Sequence, residues 1–426
     1  MRILQVVHGY PPRESAGTEQ HTRQLTAALT ARGVAVHVVT ATRAPGHRQY
    51  AVLEEPGITR IVNNIPSRPL SQAEVDPAMS SAVQAAAARF KPDLVHLQHT
   101  QFISSNLRFD APVVATLHDA WAWCAAGGTL LNTRGESCPG PDPARCAPCA
   151  AAWRPVPGRG ARGLLKLAGA LAPLVPPDRL HALYQRTPPR LRARVHRGAS
   201  PIENEAAAGS RNRALGELFR TAEARISPSQ WLARAAEAQG LGPVDVVRHG
   251  VPPGRPAPSS PRAGGGPLLF LGTIAHHKGP DLVAAAWRRA FPSGAPRLRI
   301  AGPILDTGLV TDHPLEGPLD RGEVRAALAR ASALVLGSRW PENSPLVVLE
   351  ARAQGCPVIA PAIGGLPELV QDGVDGRLYP PGDLAALARA MAEVVRGQWP
   401  DVRSPPTHAA QVDATMSIYR RAMGRS

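Results

Sequence analysis

The chain has 426 residues, 44% of them hydrophobic, which is enough for two or three cores and too much for a single compact domain. Its formal charge is +15, and all 48 basic residues except Lys91, Lys166 and Lys278 are arginine, so its surface attracts anions: phosphate-bearing donors, acidic glycans or anionic membranes. No RNA-recognition or zinc-finger pattern favours nucleic acid, no stretch reaches the ~20 apolar residues of a membrane span, and the MRILQVV start is too short for a secretion signal, so a soluble cytoplasmic protein is expected.

In chain order, residues 3–7 are a short apolar run that reads as a strand. HGYPPRESAG breaks it, and residues 18–32 carry helical periodicity closed by Gly33. A second strand over 34–40 gives the strand, helix, strand order that a right-handed crossover turns into parallel pairing. A helix over 82–90 and strands over 93–97 and 111–117 continue the alternation. Residues 153–225 lose it, becoming arginine- and proline-rich around the apolar run 164–175, and read as irregular helices and loops.

The stretch 251–267 has the Pro/Gly/Ser composition of a linker or exposed loop. Beyond it, strands at 268–272, 298–302, 333–337 and 357–360 alternate with helices at 280–290, at 321–331, after Pro345 and near 367–370. The chain thus divides into an α/β unit over 1–225 and a second over 226–405. A final helical segment, 406–426, packs back on one of them, the first unit being the candidate.

Ligands of open parallel sheets gather outside the carboxyl ends of strands, where helix N-termini expose unpaired amides. SRWPENSPLVVLEARAQG sits at such a place. Ser344 suits the N-cap, Pro345 the first helical position and Gly355 the stop. The amides of Leu346 and Val347 then face a diphosphate. Glu342 precedes the helix and Glu350 lies eight residues later, so two carboxylates offer acceptors to hydroxyls at both ends of a ligand with a diphosphate between them. A nucleotide sugar is such a molecule; two solvated acids beside a helix are the alternative.

ENSPLVVLEARAQGCPVIAPAIGGLPELVQDGVDGRLYPPGD resembles the signature region of family-4 glycosyltransferases, retaining enzymes of GT-B fold, and keeps their E-x7-E motif. The resemblance extends through RISPSQWLARAAEAQG, VVRHGV, FLGTIAHHKG and SAGTEQHTRQLTAALTARGVAVHVVT, covering most of the chain outside residues 150–225. It implies an α/β GT-B architecture, two Rossmann-like open parallel-sheet domains facing across a cleft. By resemblance Glu350 binds the ribose hydroxyls, Glu342 the sugar hydroxyls, the backbone from Ser344 to Val347 the diphosphate, and Lys278 neutralises phosphate charge. The implied donor contacts are Gly17, Gly272, Lys278, Glu342, Asn343, Ser344, Leu346, Val347 and Glu350.

Two positions depart from the pattern. Thr273 follows Gly272 where many relatives carry arginine, and Ala16–Gly17 stands where relatives often have Gly-Gly, keeping one position that lets backbone approach a ligand. Glu19 and His21 match the pattern. His118 ends a predicted strand in TLHD, from which its imidazole reaches a sugar hydroxyl or the reacting oxygen; a histidine capping a strand is the alternative. His118, Lys278 and Glu342 are the candidate catalytic residues. The resemblance implies retention at the anomeric carbon, with the leaving diphosphate drawing the acceptor proton and no catalytic metal required.

Cys124, Cys138, Cys146 and Cys149 lie within the Gly/Pro-rich segment 124–149, and CAPC has the two-residue spacing of zinc knuckles. A structural zinc is the expectation, with four reduced thiols as the alternative; similar glycosyltransferases carry a cysteine-rich insert after HDxW, here HDAW. The insert then hangs over the acceptor side, and Cys356 belongs to a core strand. Leu164 to Val175, flanked by Arg159, Arg162, Lys166 and Arg179, suits an anionic membrane or an ordinary domain surface with snorkelling arginines. The acceptor is accordingly a glycan, a lipid-linked sugar or a small molecule, within cell-surface polysaccharide or glycoconjugate synthesis. A nucleotide-sugar-binding protein that has lost transfer is the second class, and the missing G-x-G-x-x-G after the first strand argues against a dinucleotide oxidoreductase.

Overall fold

A computed structural model describes residues 1–14, 16–64, 75–153, 201–252, 265–397, 399 and 402–424. The first region contains β1 (Arg2–Val7), α1 (Gly17–Ala31), β2 (Ala35–Thr42), β3 (Val52–Glu55), β4 (Ile58–Val62), α2 (Pro77–Phe90), β5 (Leu94–Leu97), β6 (Val113–Thr116), α3 (Pro143–Trp153), α4 (Pro201–Arg220), β7 (Ala224–Ser227), α5 (Gln230–Ala238) and β8 (Asp245–Val246). Its sheet runs β3-β4-β2-β1-β5-β6-β7-β8, parallel except for the β3–β4 hairpin. Local chemistry sets the element ends. Asp76 caps α2 by accepting from Met79 N with Pro77 behind it, and Gly33 leaves α1 at φ 77°.

The second region contains β9 (Leu268–Leu271), a 3-10 turn (His276–Lys278), α6 (Pro280–Ala290), β10 (Leu298–Ala301), β11 (Leu315–Glu316), α7 (Arg321–Arg330), β12 (Ala333–Val335), α8 (Leu346–Ala353), β13 (Val358–Pro361), α9 (Leu366–Leu369), β14 (Gly376–Tyr379) and α10 (Leu384–Arg396). Its sheet is wholly parallel, in the order β11-β10-β9-β12-β13-β14. Helices cover both faces of such a sheet, so its central strands are continuous apolar runs: LLFL in β9 and VIAP in β13 are buried throughout.

The division at residue 225 falls within β7, which pairs with β6 in the first sheet through Val114↔Ala224 and Thr116↔Ile226. The chain crosses to the second sheet only after β8. Part of the span expected to be irregular is instead the 20-residue helix α4, which packs on α3. The run 164–175 lies outside the described residues. The return crossing lies beside the outward one: Val251 N donates to Pro406 O (3.1 Å) and His408 N to Val251 O (2.9 Å). The last helix, α11 (His408–Ala422), then packs on the first region, burying Val412, Ile418 and Tyr419 among Ile3, Leu25, Leu94 and Ile226. Among the described residues no helix is long and apolar enough to cross a membrane.

Candidate donor and acceptor site

The second sheet presents the first wall. The chain leaves β12 and turns through Ser338 to Pro345 before entering α8. Pro345 itself occupies the N-cap, in an extended conformation (φ −65°, ψ 123°), so the helix begins one residue later than Ser344 as cap would require. The hydroxyl oxygen of Ser344 is buried with no partner among the described residues. Val348 N is already bonded to Pro345 O (3.1 Å), leaving the amides of Leu346 and Val347 as the open donors at the helix start.

Glu342 is 5% exposed, and its Oε1 accepts from Lys278 Nζ (2.7 Å) and Ser338 Oγ (2.9 Å). The Lys278 ammonium also sits 4.6 Å above the Trp340 ring. Two glycine pairs bring these groups together. Gly279 lies at φ 65°, and a Cβ there would stand 1.9 Å from Gly337 O, so the Lys278 turn presses directly on the exit of β12. A Cβ on Gly365 would stand 2.0 Å from Asn343 O, and Gly365 N donates to Glu342 O (2.7 Å). Gly364–Gly365 therefore shapes the Glu342 loop, a role that went unread although the pair lies inside the motif segment.

Glu350 is on α8. Burial pushes its pKa up, and Arg321 partly offsets that. Arg321 Nη2 in turn reaches Gln20 Oε1 on α1 (2.8 Å), one of the bonds between the regions.

The opposite wall is made of strand ends of the first sheet. His118, just beyond β6, donates through Nε2 to Gln98 Oε1 (2.8 Å), which leaves Nδ1 as an acceptor; the orientation of Gln98 follows from its own bond to Gln5 Oε1 (3.1 Å). Asn343 Nδ2 donates to His118 O (2.9 Å) and Leu117 O (3.3 Å), while its Oδ1 accepts from Ser229 Oγ. The Asn343 side chain is thus committed to the domain contact, and only its backbone is open to a donor. Among the described residues, apart from its chain neighbours and its own helix backbone, Gly17 has no atom within 4 Å of where a Cβ would be, and at Gly272 the nearest is Phe270 at 3.6 Å.

Around His118 the imidazoles gather. His21 lies 5.0 Å and His249 5.8 Å from it, and His21 and His249 are 4.3 Å apart between ring centres. His8 and His99 form a second pair at 4.4 Å, each facing a carboxylate: Glu19 at 3.1 Å from His8 and Asp119 at 3.5 Å from His99. Burial holds His21 and His118 well below the usual imidazole range and His249 at about 3, so these rings are neutral at pH 7. Of these histidines the sequence pattern singles out only His118 and His21. The signal of the full set was faint but present: His8, His99, His118 and His249 each fall just past the end of a strand.

The structure lends no support to the zinc expectation for Cys124, Cys138, Cys146 and Cys149. Among the described residues no group of three or more His, Cys, Asp or Glu side chains is placed to hold a metal ion. The segment also carries apolar order of its own. Ala122, Trp123, Cys124, Ala126 and Leu130 are buried in the first core, and Cys146 and Ala150 pack on Ala207 and Ala208 of α4. Burial raises the Cys124 thiol to about 11 and pushes Cys146 and Cys149 upward. Cys138 Sγ donates to Gly140 O (3.2 Å). The segment nevertheless faces the other domain: Leu131, Asn132 and Arg134 line a cavity of about 350 Å³ together with His276 and His277 beside Lys278.

Residues 261–411 match the family model described as glycosyl transferases group 1, and residues 15–145 match that of glycosyltransferase family 4, so the chain carries glycosyltransferase domains of these kinds. It is 36% identical over 169 residues to a glycogen synthase of Mycobacterium tuberculosis, covering 37% of this chain and 41% of that one. To a D-inositol 3-phosphate glycosyltransferase of Frankia alni it is 33% identical over 234 residues, 46% of this chain and 57% of that one. The chain thus spans about half the length of the curated relatives it matches. Among solved structures, a sucrose-phosphate synthase from Thermosynechococcus elongatus superposes over 100% of both chains with a TM-score of 0.59 at 18% identity. Anabaena HepE in complex with UDP and glucose does so over 99% of this chain and 95% of that one, with a TM-score of 0.53 at 16% identity. The fold is GT-B.

Proposed function

We propose that this chain, a GT-B protein carrying two glycosyltransferase domains, is a retaining transferase that moves a sugar from a nucleotide-diphosphate donor to a glycan, lipid-linked or small-molecule acceptor. The observation that carries this reading is the Lys278–Glu342 pair at 2.7 Å beside the open amides of α8, with Glu350 further along the same helix. Glu350 accepts from the ribose hydroxyls, the Leu346 and Val347 amides and Lys278 hold the diphosphate, and Glu342 orients the sugar. As the bond to the leaving diphosphate breaks, negative charge grows where these donors already point, so little reorganisation is needed. His118 Nδ1, held as an acceptor by the bond to Gln98, takes a hydroxyl of the sugar or of the acceptor. HepE, with UDP and glucose bound on the same fold, supports a nucleotide sugar as the donor class. The cavity between the cysteine segment and His276–His277 is where an acceptor approaches Lys278.

Thr273 and Ala16 favour a second reading, a protein that binds nucleotide sugars without transferring them. A thermal-shift screen of UDP-, GDP- and ADP-sugars tests both, because a ligand bound by the folded state raises its melting temperature. A stabilising donor that is also consumed, with the product keeping the anomeric configuration by proton NMR, supports the transferase. Stabilisation without turnover supports the binding protein, and no stabilisation by any of the sugars contradicts both.

A further inference from the structure

The last helix supplies more than apolar packing. Gln411 stands one turn into α11, just past the return crossing, and its buried amide bonds in two directions. Its Oε1 accepts from Gly250 N of the outward crossing (2.8 Å), and its Nε2 meets Nε2 of His21, 390 positions away in the chain, at 2.7 Å. Further along the helix, Tyr419 Oη meets His96 Nδ1 (2.6 Å), whose Nε2 meets Thr116 Oγ1 (2.7 Å). A helix from the far end of the chain is therefore bonded to α1, β5 and the outward crossing, the elements that carry the acceptor wall.

The Gly250 bond settles which way round the Gln411 amide lies. A backbone N–H can only donate, so the atom facing it is the oxygen, and the NH2 end faces His21. That end can only donate, so His21 Nε2 accepts, and the neutral ring carries its proton on Nδ1. Nδ1 is buried without a close hydrogen bond among the described residues, Gln98 pulling only weakly on the ring, so the Gln411 amide is what selects this tautomer. The choice matters to the neighbours. An imidazole edge is positive at an N–H and negative at a bare nitrogen, and His21 packs edge to face with His118 at 5.0 Å and tilted on His249 at 4.3 Å.

We propose that Gln411 is a positioning residue for the acceptor wall: it fixes His21 as the Nδ1–H tautomer and through that ring sets the orientation of His118, while its bond to Gly250 ties this setting to the chain crossings. Its part in sugar transfer rests on the transferase reading of the cleft. The tautomer of His21 and the orientation of His118 do not.

The test is long-range proton–nitrogen correlation NMR, which tells a protonated ring nitrogen from a bare one, on the full chain with its histidines isotope-labelled. His21→Asn and His118→Asn assign the two rings. The wild type is expected to show His21 protonated at Nδ1 and bare at Nε2. Gln411→Glu keeps an acceptor for Gly250 N but offers His21 no donor, so it is expected to bring a proton onto Nε2 and to shift the His118 signals. Gln411→Met, which removes both bonds, is expected to shift the signals of both rings and serves if the buried carboxylate prevents folding. Turnover is read as hydrolysis of UDP-, GDP- or ADP-glucose, with water in the place of the acceptor: kcat is expected to fall about tenfold in either variant, with KM moved by no more than about twofold. A wild-type His21 protonated at Nε2, a folded variant whose His118 signals or kcat match the wild type, or a loss confined to KM overturns the proposal. No turnover of any of the three sugars by the wild type counts against the transferase reading alone, and the spectra still decide whether Gln411 sets the two rings.

Discussion

The two walls of the cleft are built in contrasting ways. On the second domain, Glu342, the amides at the start of α8 and Glu350 come from one continuous segment, with Lys278 and Arg321 as charged partners brought from elsewhere. On the first domain, His8, Glu19, His21, His99, His118 and Asp119 come from several strand ends and one helix, and imidazoles meet ring to ring. A charged, contiguous wall suits a ligand whose diphosphate is always the same. A wall of rings assembled from separate loops is the one that can change with the acceptor while the sheet beneath it stays fixed.

Breaking the charged wall has the largest expected effect. Lys278→Ala should lower kcat by about 10²–10³, because it removes a donor aimed at charge that develops on the leaving diphosphate. Steady-state kinetics against the stabilising donor should show this with a smaller change in nucleotide affinity. A KM effect with kcat intact would move Lys278 from transition-state stabilisation to ground-state binding.

The neutral wall should reveal itself through pH. His96 and His249 are held at about 3 by burial against an ordinary 6.5, so on acidification the unfolded chain takes up protons that the folded one refuses. Their contribution is intact above pH 6.5 and is lost as pH falls from there toward 3, at about 1.4 kcal/mol per pH unit for each ring. Urea unfolding at pH 7 and pH 5 should show the drop, and His249→Phe should shrink it by about 2 kcal/mol. Glu350 works in the opposite sense: its raised pKa means the folded state gains a proton first, so acidification relieves its burial cost.

Asn343→Ala removes the bonds that join the walls at His118 and Leu117 and should cost about 1–2 kcal/mol by urea unfolding, with the buried carbonyls left unpaired. A change near zero would show the domain contact to be carried elsewhere. The smallest effect is expected in the cysteine segment. A chelator should leave the melting temperature unchanged, and Cys146→Ala should cost about 1 kcal/mol or less, the loss of packing against Ala207 and Ala208. Chelator-induced melting would restore the metal.

The same contrast decides what was legible in the sequence. Strand, helix, strand order and the E-x7-E segment are local patterns, so both sheets and the donor wall are visible before any coordinates. The start of α8 is displaced by one residue because Pro345, good at two adjacent positions, takes the cap itself. The edge of the first domain is hidden because β7 and β8 are short, and only the pairing of β7 to β6 and of β8 to β7 assigns them. The cysteine spacing suggested a metal, yet Trp123, Leu130 and the alanines of α4 already supply the order that zinc was invoked to provide. Contacts across the cleft, such as Asn343 with His118, join residues more than two hundred apart and leave no local trace.

The central claim is that the stretch from Glu342 to Glu350 grips a nucleotide-diphosphate donor, and titration of UDP, GDP and ADP into the wild-type chain and Glu350→Ala tests it most directly. At least one nucleotide should bind the wild type, and its Kd should rise roughly thirtyfold in the variant, the value of a ribose hydroxyl bonded to a carboxylate. An unchanged Kd in a folded Glu350→Ala protein would contradict the account.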